Sequence, residues 1–293
     1  MMIKVDLHMH SGEDPYDGLG YPATALIDRA VELGYGAIAI TCHCRVLEDE
    51  RFFEYARQKG LLLIRAVEWK IDRRDVLLYN ITQRDAVKLR TFDDLRAYKR
   101  ERREDLLIIA PHPLYPQGHS LRNRFEPNID LFDAVEYAQI HLPWFDRFNQ
   151  RAVRIARKHG KPVVANSDAH NLWMFGRHYT IVEAEPTMPS IFRAIREGRV
   201  QLHSPPVTVY ECLRMFVLDP LSERKRGRVL ESFPSATASG VGGSPQIPSL
   251  SSRVKNEAIK WNMTKYSSAN GRKPRNPASG ISRYFTFWPS GKI

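Results

Sequence analysis

Short apolar runs alternate with longer amphipathic stretches through the first 200 residues, and most of the amphipathic stretches stop at a glycine. Ile3, Val5 and Leu7 alternate with polar residues at the period of a strand. Ala37 to Thr41, Leu61 to Val67, Leu106 to Ala110, Ala134 to Tyr137, Pro162 to Ala165 and Tyr179 to Val182 read as further strands, with Val76 to Ile81 as an additional one. Helices are expected from Pro22 or Thr24 until stopped by Gly34, from about Glu48 to Lys59 before Gly60, from about Phe92 to Arg103, from Trp144 to His159 before Gly160 and from Pro189 to Glu197 before Gly198. Strands and helices alternating at this spacing predict βαβ units and a parallel sheet in an α/β fold. About seven such units are too many for a small sheet and suit a barrel.

The residues at the ends of these strands are of one chemical kind. His8 and His10 leave the same face of the first strand, since side chains two apart share a face. Alone, a His-x-His pair reads as two polar residues at a strand end. Here it is joined by His43, Glu68, His112 and the Asp168–His170 pair, which follow four further apolar runs. Parallel α/β folds build their sites at the carboxyl ends of strands. Five of the ten histidines fall in these positions, whereas unrelated histidines would also scatter over helices and loops. Imidazole and carboxylate without thiolate favour zinc, manganese or iron over a structural cysteine-rich zinc site. A carboxylate such as Glu68 can bridge two ions about 3.5–4 Å apart, a spacing suited to displacement at phosphorus.

The net charge of +11 invites a nucleic-acid reading, but its distribution opposes one. After Pro220, 13 Lys/Arg stand against 3 Asp/Glu, so the first 220 residues are close to neutral. Ser, Gly, Pro and Ala dominate much of that stretch, and 220–293 is expected to be a disordered basic tail behind a domain of 1–219. Val207 to Leu218 is apolar enough to pack back on the domain as a helix or strand. In the tail, Lys/Arg beside Tyr284, Phe285, Phe287 and Trp288 could contact nucleic acid, but a solvated extension is the favoured expectation. No apolar run reaches the length of a membrane span, no signal peptide is recognised, and three cysteines (Cys42, Cys44, Cys212) suit a reducing compartment. A cytoplasmic protein is expected.

The ordered set HMH at 8–10, His43 after an apolar strand, Glu68, PHP at 111–113 and SDAH at 167–170 resembles the PHP (polymerase and histidinol phosphatase) superfamily over about residues 2–205. The resemblance implies a distorted TIM-like (β/α)7 barrel holding two or three divalent metal ions (Mn, Zn or Fe) and hydrolysing phosphate esters through a metal-activated water. It implies that His8, His10, Glu68 and Asp168 hold one ion, Glu68 and His112 contribute to a second, and His43 and His170 to a third. Asp17 or Asp14 in the acidic loop would complete the third site, with Asp17 preferred. Glu68, Asp168 and His170 are the expected catalytic groups.

The chain departs from the family pattern at two places. Cys42 stands where an aspartate is common, and the histidine usual between the Glu68 and His112 positions is missing. Asp75 is either its substitute or a surface charge. Cys42 and Cys44 read as packing residues rather than thiolate ligands, and His141 as a loop histidine. Arg177 reads equally as a grip for a substrate phosphate or as a surface or strand-end arginine, and Arg45 shares that ambiguity. The expected substrate is a small phosphorylated molecule such as a phosphate monoester or nucleotide. The competing expectations are an amidohydrolase-type enzyme acting on C–N bonds, with Lys70 the one lysine near a bridging position, and a catalytically silent metal-binding barrel.

Overall fold

The computed structural model describes residues 1–102 and 104–218. The expected disordered tail, 220–293, with its aromatic residues, lies outside the described residues. In chain order the elements are β1 (Met2–Asp6), α1 (Ala23–Glu32), β2 (Ala37–Ile38), α2 (Glu50–Gln58), β3 (Leu62–Leu63), β4 (Ala66–Ile71), β5 (Arg74–Tyr79), α3 (Gln83–Ala86), α4 (Phe92–Glu101), β6 (Leu107–Ala110), β7 (Ala134–Tyr137), α5 (Arg147–Lys158), β8 (Val163–Ala165), β9 (Tyr179–Glu183), α6 (Met188–Arg196), β10 (Val200–His203) and α7 (Val209–Leu213). Gly34, Gly60, Gly160 and Gly198 all adopt positive φ just past a helix, the conformation glycine tolerates best.

The strands form two five-stranded sheets, ordered β10-β9-β1-β2-β3 and β4-β5-β6-β7-β8. The mixed α/β class and the parallel pairs β1–β2–β3 and β6–β7–β8 agree with the sequence expectation. The all-parallel (β/α)7 arrangement needs correction. β4, β5 and β6 pair antiparallel, as do β1, β9 and β10, and no continuous ladder closes the two sheets into one barrel among the described residues. For the β4–β5 pair the cause is local: only Asp72 and Arg73 separate the two strands, both at positive φ. A two-residue loop with two positive φ values joins antiparallel strands, whereas a parallel return needs a crossover of a dozen residues.

One apolar core lies between the sheets, where Val5 and Leu7 of the first meet Leu77, Tyr79, Ile109 and Val164 of the second. The Tyr79 hydroxyl donates to the Leu7 carbonyl at 2.8 Å, satisfying a buried group just beneath the histidine pair. Helices α1 and α2 cover the outer face of the first sheet, and α4 and α5 that of the second. Within the 207–218 segment residues 209–218 are helical, and Val207 before them donates its amide to the His141 carbonyl at 2.8 Å.

Candidate metal centre

The backbone just after β1 is held between two other strand ends. The Thr41 amide donates to the Met9 carbonyl at 2.8 Å, the Asp168 amide to the His8 carbonyl at 2.8 Å, and the His10 amide to the Ala169 carbonyl at 3.0 Å. A parallel bridge pairs His43 with Glu68, so β4 delivers its carboxylate beside the His43 imidazole. Glu68 lies within β4 rather than beyond a strand end as expected. His112 (φ 28°) and Asp168 (φ 42°) adopt left-handed backbone conformations that cost non-glycine residues energy. Such outliers persist where surroundings over-determine them.

Glu68 is the hub. Its Oε2 lies 3.5 Å from His8 Nε2, 3.5 Å from His10 Nε2 and 3.1 Å from His43 Nε2, while Oε1 lies 3.3 Å from His112 Nε2. Asp168 Oδ1 is 3.3 Å from His8 Nε2 and 3.4 Å from His10 Nε2. Asp17 Oδ2 is 3.2 Å from His170 Nε2 and 3.3 Å from His43 Nδ1. Three sets of donor atoms converge to within 4.8 Å: His10, Asp17, His43 and His170; His8, Glu68 and His112; and His8, His10 and Asp168. All eight residues singled out as ligands from the sequence fall in these sets. The structure adds His10 to the Asp17–His43–His170 group and His8 to the Glu68–His112 group.

The far sides of the rings are also held. His8 Nδ1 meets Glu136 Oε1 at 3.0 Å, and that oxygen accepts from Asn166 Nδ2 at 2.8 Å. Glu136 Oε2 accepts the His112 amide at 3.0 Å, and His112 Nδ1 meets Ser120 Oγ at 3.1 Å. Asp14 Oδ2 accepts the His43 amide at 2.6 Å and lies 2.9 Å from His43 Nδ1 and 3.2 Å from His10 Nδ1. Asp14 therefore orients two imidazoles, and Asp17 reaches His170. Glu136 and Asn166 carried no expected role, yet an acid inside the apolar run Ala134–Tyr137 was the available signal, since a buried carboxylate needs partners.

The donor set fits divalent cations on two observations. His8 Nε2 and His10 Nε2 face each other at 3.4 Å, an arrangement of two lone pairs that calls for a cation or a proton between them. Glu68 Oε1 and Asp17 Oδ2 are buried, and no donor is aligned to hydrogen-bond either. The electrostatics agree. Burial works against charge on His8, but Glu136, Asp168 and Glu68 outweigh it and raise its pKa well above the ordinary value. Burial is likewise outweighed at His43 by Asp14, Asp17 and Glu68, and at His170 by Asp17 and Asp168, which hold the His170 pKa at about 9. Glu68, Asp17 and Asp168 are shifted downward despite burial, because imidazoles surround them. Such a field holds positive charge in its centre, as protons or as metal ions.

Other candidates fall elsewhere. Arg177 pairs with Glu211 and donates from Nη2 to the Pro206 carbonyl at 2.9 Å, so it ties the 207–218 segment down and is not brought to the cluster. Arg45 Nη1 donates to the Glu13 carbonyl at 3.2 Å. Cys42 is buried against Ser11, and burial pushes its thiol up to about 12, which keeps it protonated. Neither Cys42 nor Cys44 belongs to a converging donor set. His141 Nε2 meets Ser204, in a group with His178. Asp75 is fully buried rather than a surface charge, and it pairs with Lys70. Burial disfavours the Lys70 ammonium, but Asp75 and Glu68 outweigh that and raise its pKa.

A mixed α/β scaffold carrying clustered imidazoles and carboxylates that share His8 and His10 between donor sets defines a metal-dependent hydrolase. The family model described as PHP domain matches residues 6–140, and the one described as PHP-associated matches 146–200. The chain belongs to the PHP superfamily. No curated protein matches it. Among solved structures, PsfC from Pseudomonas syringae is similar with a TM-score of 0.52 at 15% identity, over 76% of this chain and 98% of that one. The lesion-specific endonuclease EndoQ from Pyrococcus furiosus gives 0.49 at 20% identity, over 69% of this chain and 58% of that one. An amidohydrolase from Chromobacterium violaceum gives 0.42 at 16% identity, over 68% and 97%.

Proposed function

We propose that this protein hydrolyses phosphate esters of small phosphorylated molecules, such as a phosphate monoester or nucleotide, in the cytoplasm. The observation that carries the reading is the sharing of His8 and His10 between donor sets around Glu68, which would hold ions close enough to meet oxygens of one phosphate. Two or three divalent ions (Mn, Zn or Fe) bound there would activate a water and neutralise phosphate oxygens.

The residues divide the work by position. His8, His10, Glu68, His112 and Asp168 would hold the deeper ions, and Glu68, which reaches His8, His10, His43 and His112, would be placed to serve more than one of them. His43, Asp17 and His170 form the outer group. The His170 side chain is 38% exposed, the most open of the cluster, and stands where substrate enters and a proton can be passed to solvent. Glu136 and Asp14 fix ring orientation from behind and touch no reacting atom. In this reading residues 1–219 are the catalytic unit, and the basic balance of the tail plays no part in the chemistry. A near-neutral domain lacks the positive track that a nucleic-acid backbone rewards. An amidohydrolase bridge on Lys70 is disfavoured because its amine is engaged as an ammonium by Asp75, while carbamylation needs the free base.

The test is a substrate screen of the full chain loaded with manganese or zinc, spanning phosphate monoesters, diesters, nucleotides and cyclic amides. Phosphate-ester turnover that falls by about 100-fold or more in Glu68→Gln is the expected result. Turnover of amides alone, or phosphate-ester turnover untouched in that variant, would overturn the proposal.

A further inference from the structure

Glu68 and Lys70 are two apart on β4 and share a face, and Asp75 on β5 lies directly opposite Lys70 in the antiparallel register. The two-residue turn at Asp72–Arg73 therefore brings a lysine and an acid to the face that carries the hub carboxylate. Asp75 is fully buried, with Oδ1 on the Lys70 ammonium and Oδ2 without a hydrogen bond. The Lys70 side chain is 39% exposed. Among the described residues Asp75 is the one acceptor Lys70 is bonded to, which leaves donor capacity on an ammonium with three N–H groups.

A second element closes on the same place. The Asp75 amide donates to the His119 carbonyl at 2.9 Å, and Arg74 Nη1 donates to the carbonyls of Gly118 at 2.6 Å and Ser120 at 3.1 Å. Ser120 in turn holds His112 Nδ1, and the rings of His112 and His119 lie edge to face at 6.0 Å. His119 Nε2 is 3.6 Å from Asp75 Oδ2. The loop after β6 is thus pinned with its imidazole facing the pair Lys70–Asp75, next to His112 and Glu68. The His119 side chain is 47% exposed, so its ring borders the open side of this pair.

We propose that Lys70, anchored by Asp75, forms with His119 an anion subsite that grips non-reacting oxygens of the substrate phosphate beside Glu68 and His112. Six carboxylates (Asp14, Asp17, Glu68, Asp75, Glu136 and Asp168) crowd this end of the fold, and a phosphate dianion approaching them needs fixed positive charge. Lys70 supplies it from the protein itself. Asp75 keeps the ammonium in place, and the subsite serves the phosphoesterase reading given above, on which it rests.

The experiment is calorimetric titration of inorganic phosphate into the manganese-loaded full chain, with metal per chain measured on the same samples. Lys70→Met is expected to weaken phosphate binding about tenfold or more, the loss of one charge-assisted contact, at unchanged metal content. Lys70→Arg should retain most of the affinity. The double variant Lys70→Met/Asp75→Asn removes the pair without stranding a buried charge and should show the same loss if the single variant folds poorly. Wild-type affinity in the double variant, or loss of phosphate binding only in parallel with loss of metal, would overturn the subsite. A wild type that neither binds phosphate nor turns over phosphate esters would instead overturn the phosphoesterase reading.

Discussion

His8 Nε2 and His10 Nε2 point at one another across 3.4 Å in a fully buried site, although each ring is held from behind by a different carboxylate, Glu136 and Asp14. Two fixed imidazoles in that pose repel unless something positive lies between them or bridges them. Binding of divalent ions to the folded chain alone stabilises it by about 2.7 kcal/mol per site at free metal 100-fold above Kd. Stripping the protein with chelator should therefore lower its Tm by roughly 5–10 °C. His8→Ala, which removes a donor shared by two sets, should bind fewer ions per chain by elemental analysis and show a smaller chelator effect.

Glu136 lies behind the cluster, with one oxygen on His8 Nδ1 and the other on the His112 amide. Partners of this kind set ring tautomer and direction, and their loss typically costs about 10–100-fold in metal affinity. Glu136→Gln should reproduce that loss in a titration of manganese into the chelated protein, with far-UV circular dichroism unchanged. An unaltered affinity would show that the ring is positioned without it.

His178 gives an acid-side prediction away from the metal cluster. Burial, followed by nearby positive charge, depresses its pKa to about 3, and its Nδ1 meets Ser204 Oγ at 2.9 Å. In the unfolded chain the same group titrates near 6.5. Between those values the unfolded chain binds a proton that the folded chain does not, so this group's contribution is complete above about 6.5 and is lost as pH falls toward 3. The drop in Tm between pH 7 and pH 5 in chelator should be smaller in His178→Asn than in wild type, because both share every other titrating group.

Much of the molecule was legible in the chain itself. The apolar runs marked most strands to within a few residues, and glycines marked helix ends, because burial and positive φ leave a local trace. Histidines and acids beyond those runs marked the residues that the fold brings together. The sequence did not reveal the β4–β5 hairpin, since Asp72–Arg73 lacks the asparagine–glycine or aspartate–glycine signature and the turn is paired by its strands instead. Arg177 looked equally suited to phosphate or to a surface, and only the packing of the 207–218 segment committed it to Glu211.

What the sequence determined by itself was the kind of site: local periodicity places side chains on faces and at strand ends, and residue chemistry then dictates cations. What only the tertiary structure decided was the grouping. Which imidazoles share Glu68, that Asp14 stands behind the rings while Asp17 reaches His170, and that Asp75 holds Lys70 all depend on strand register and loop closure. Those are contacts between residues as far apart as His8 and Asp168, and no local pattern encodes the distance between them.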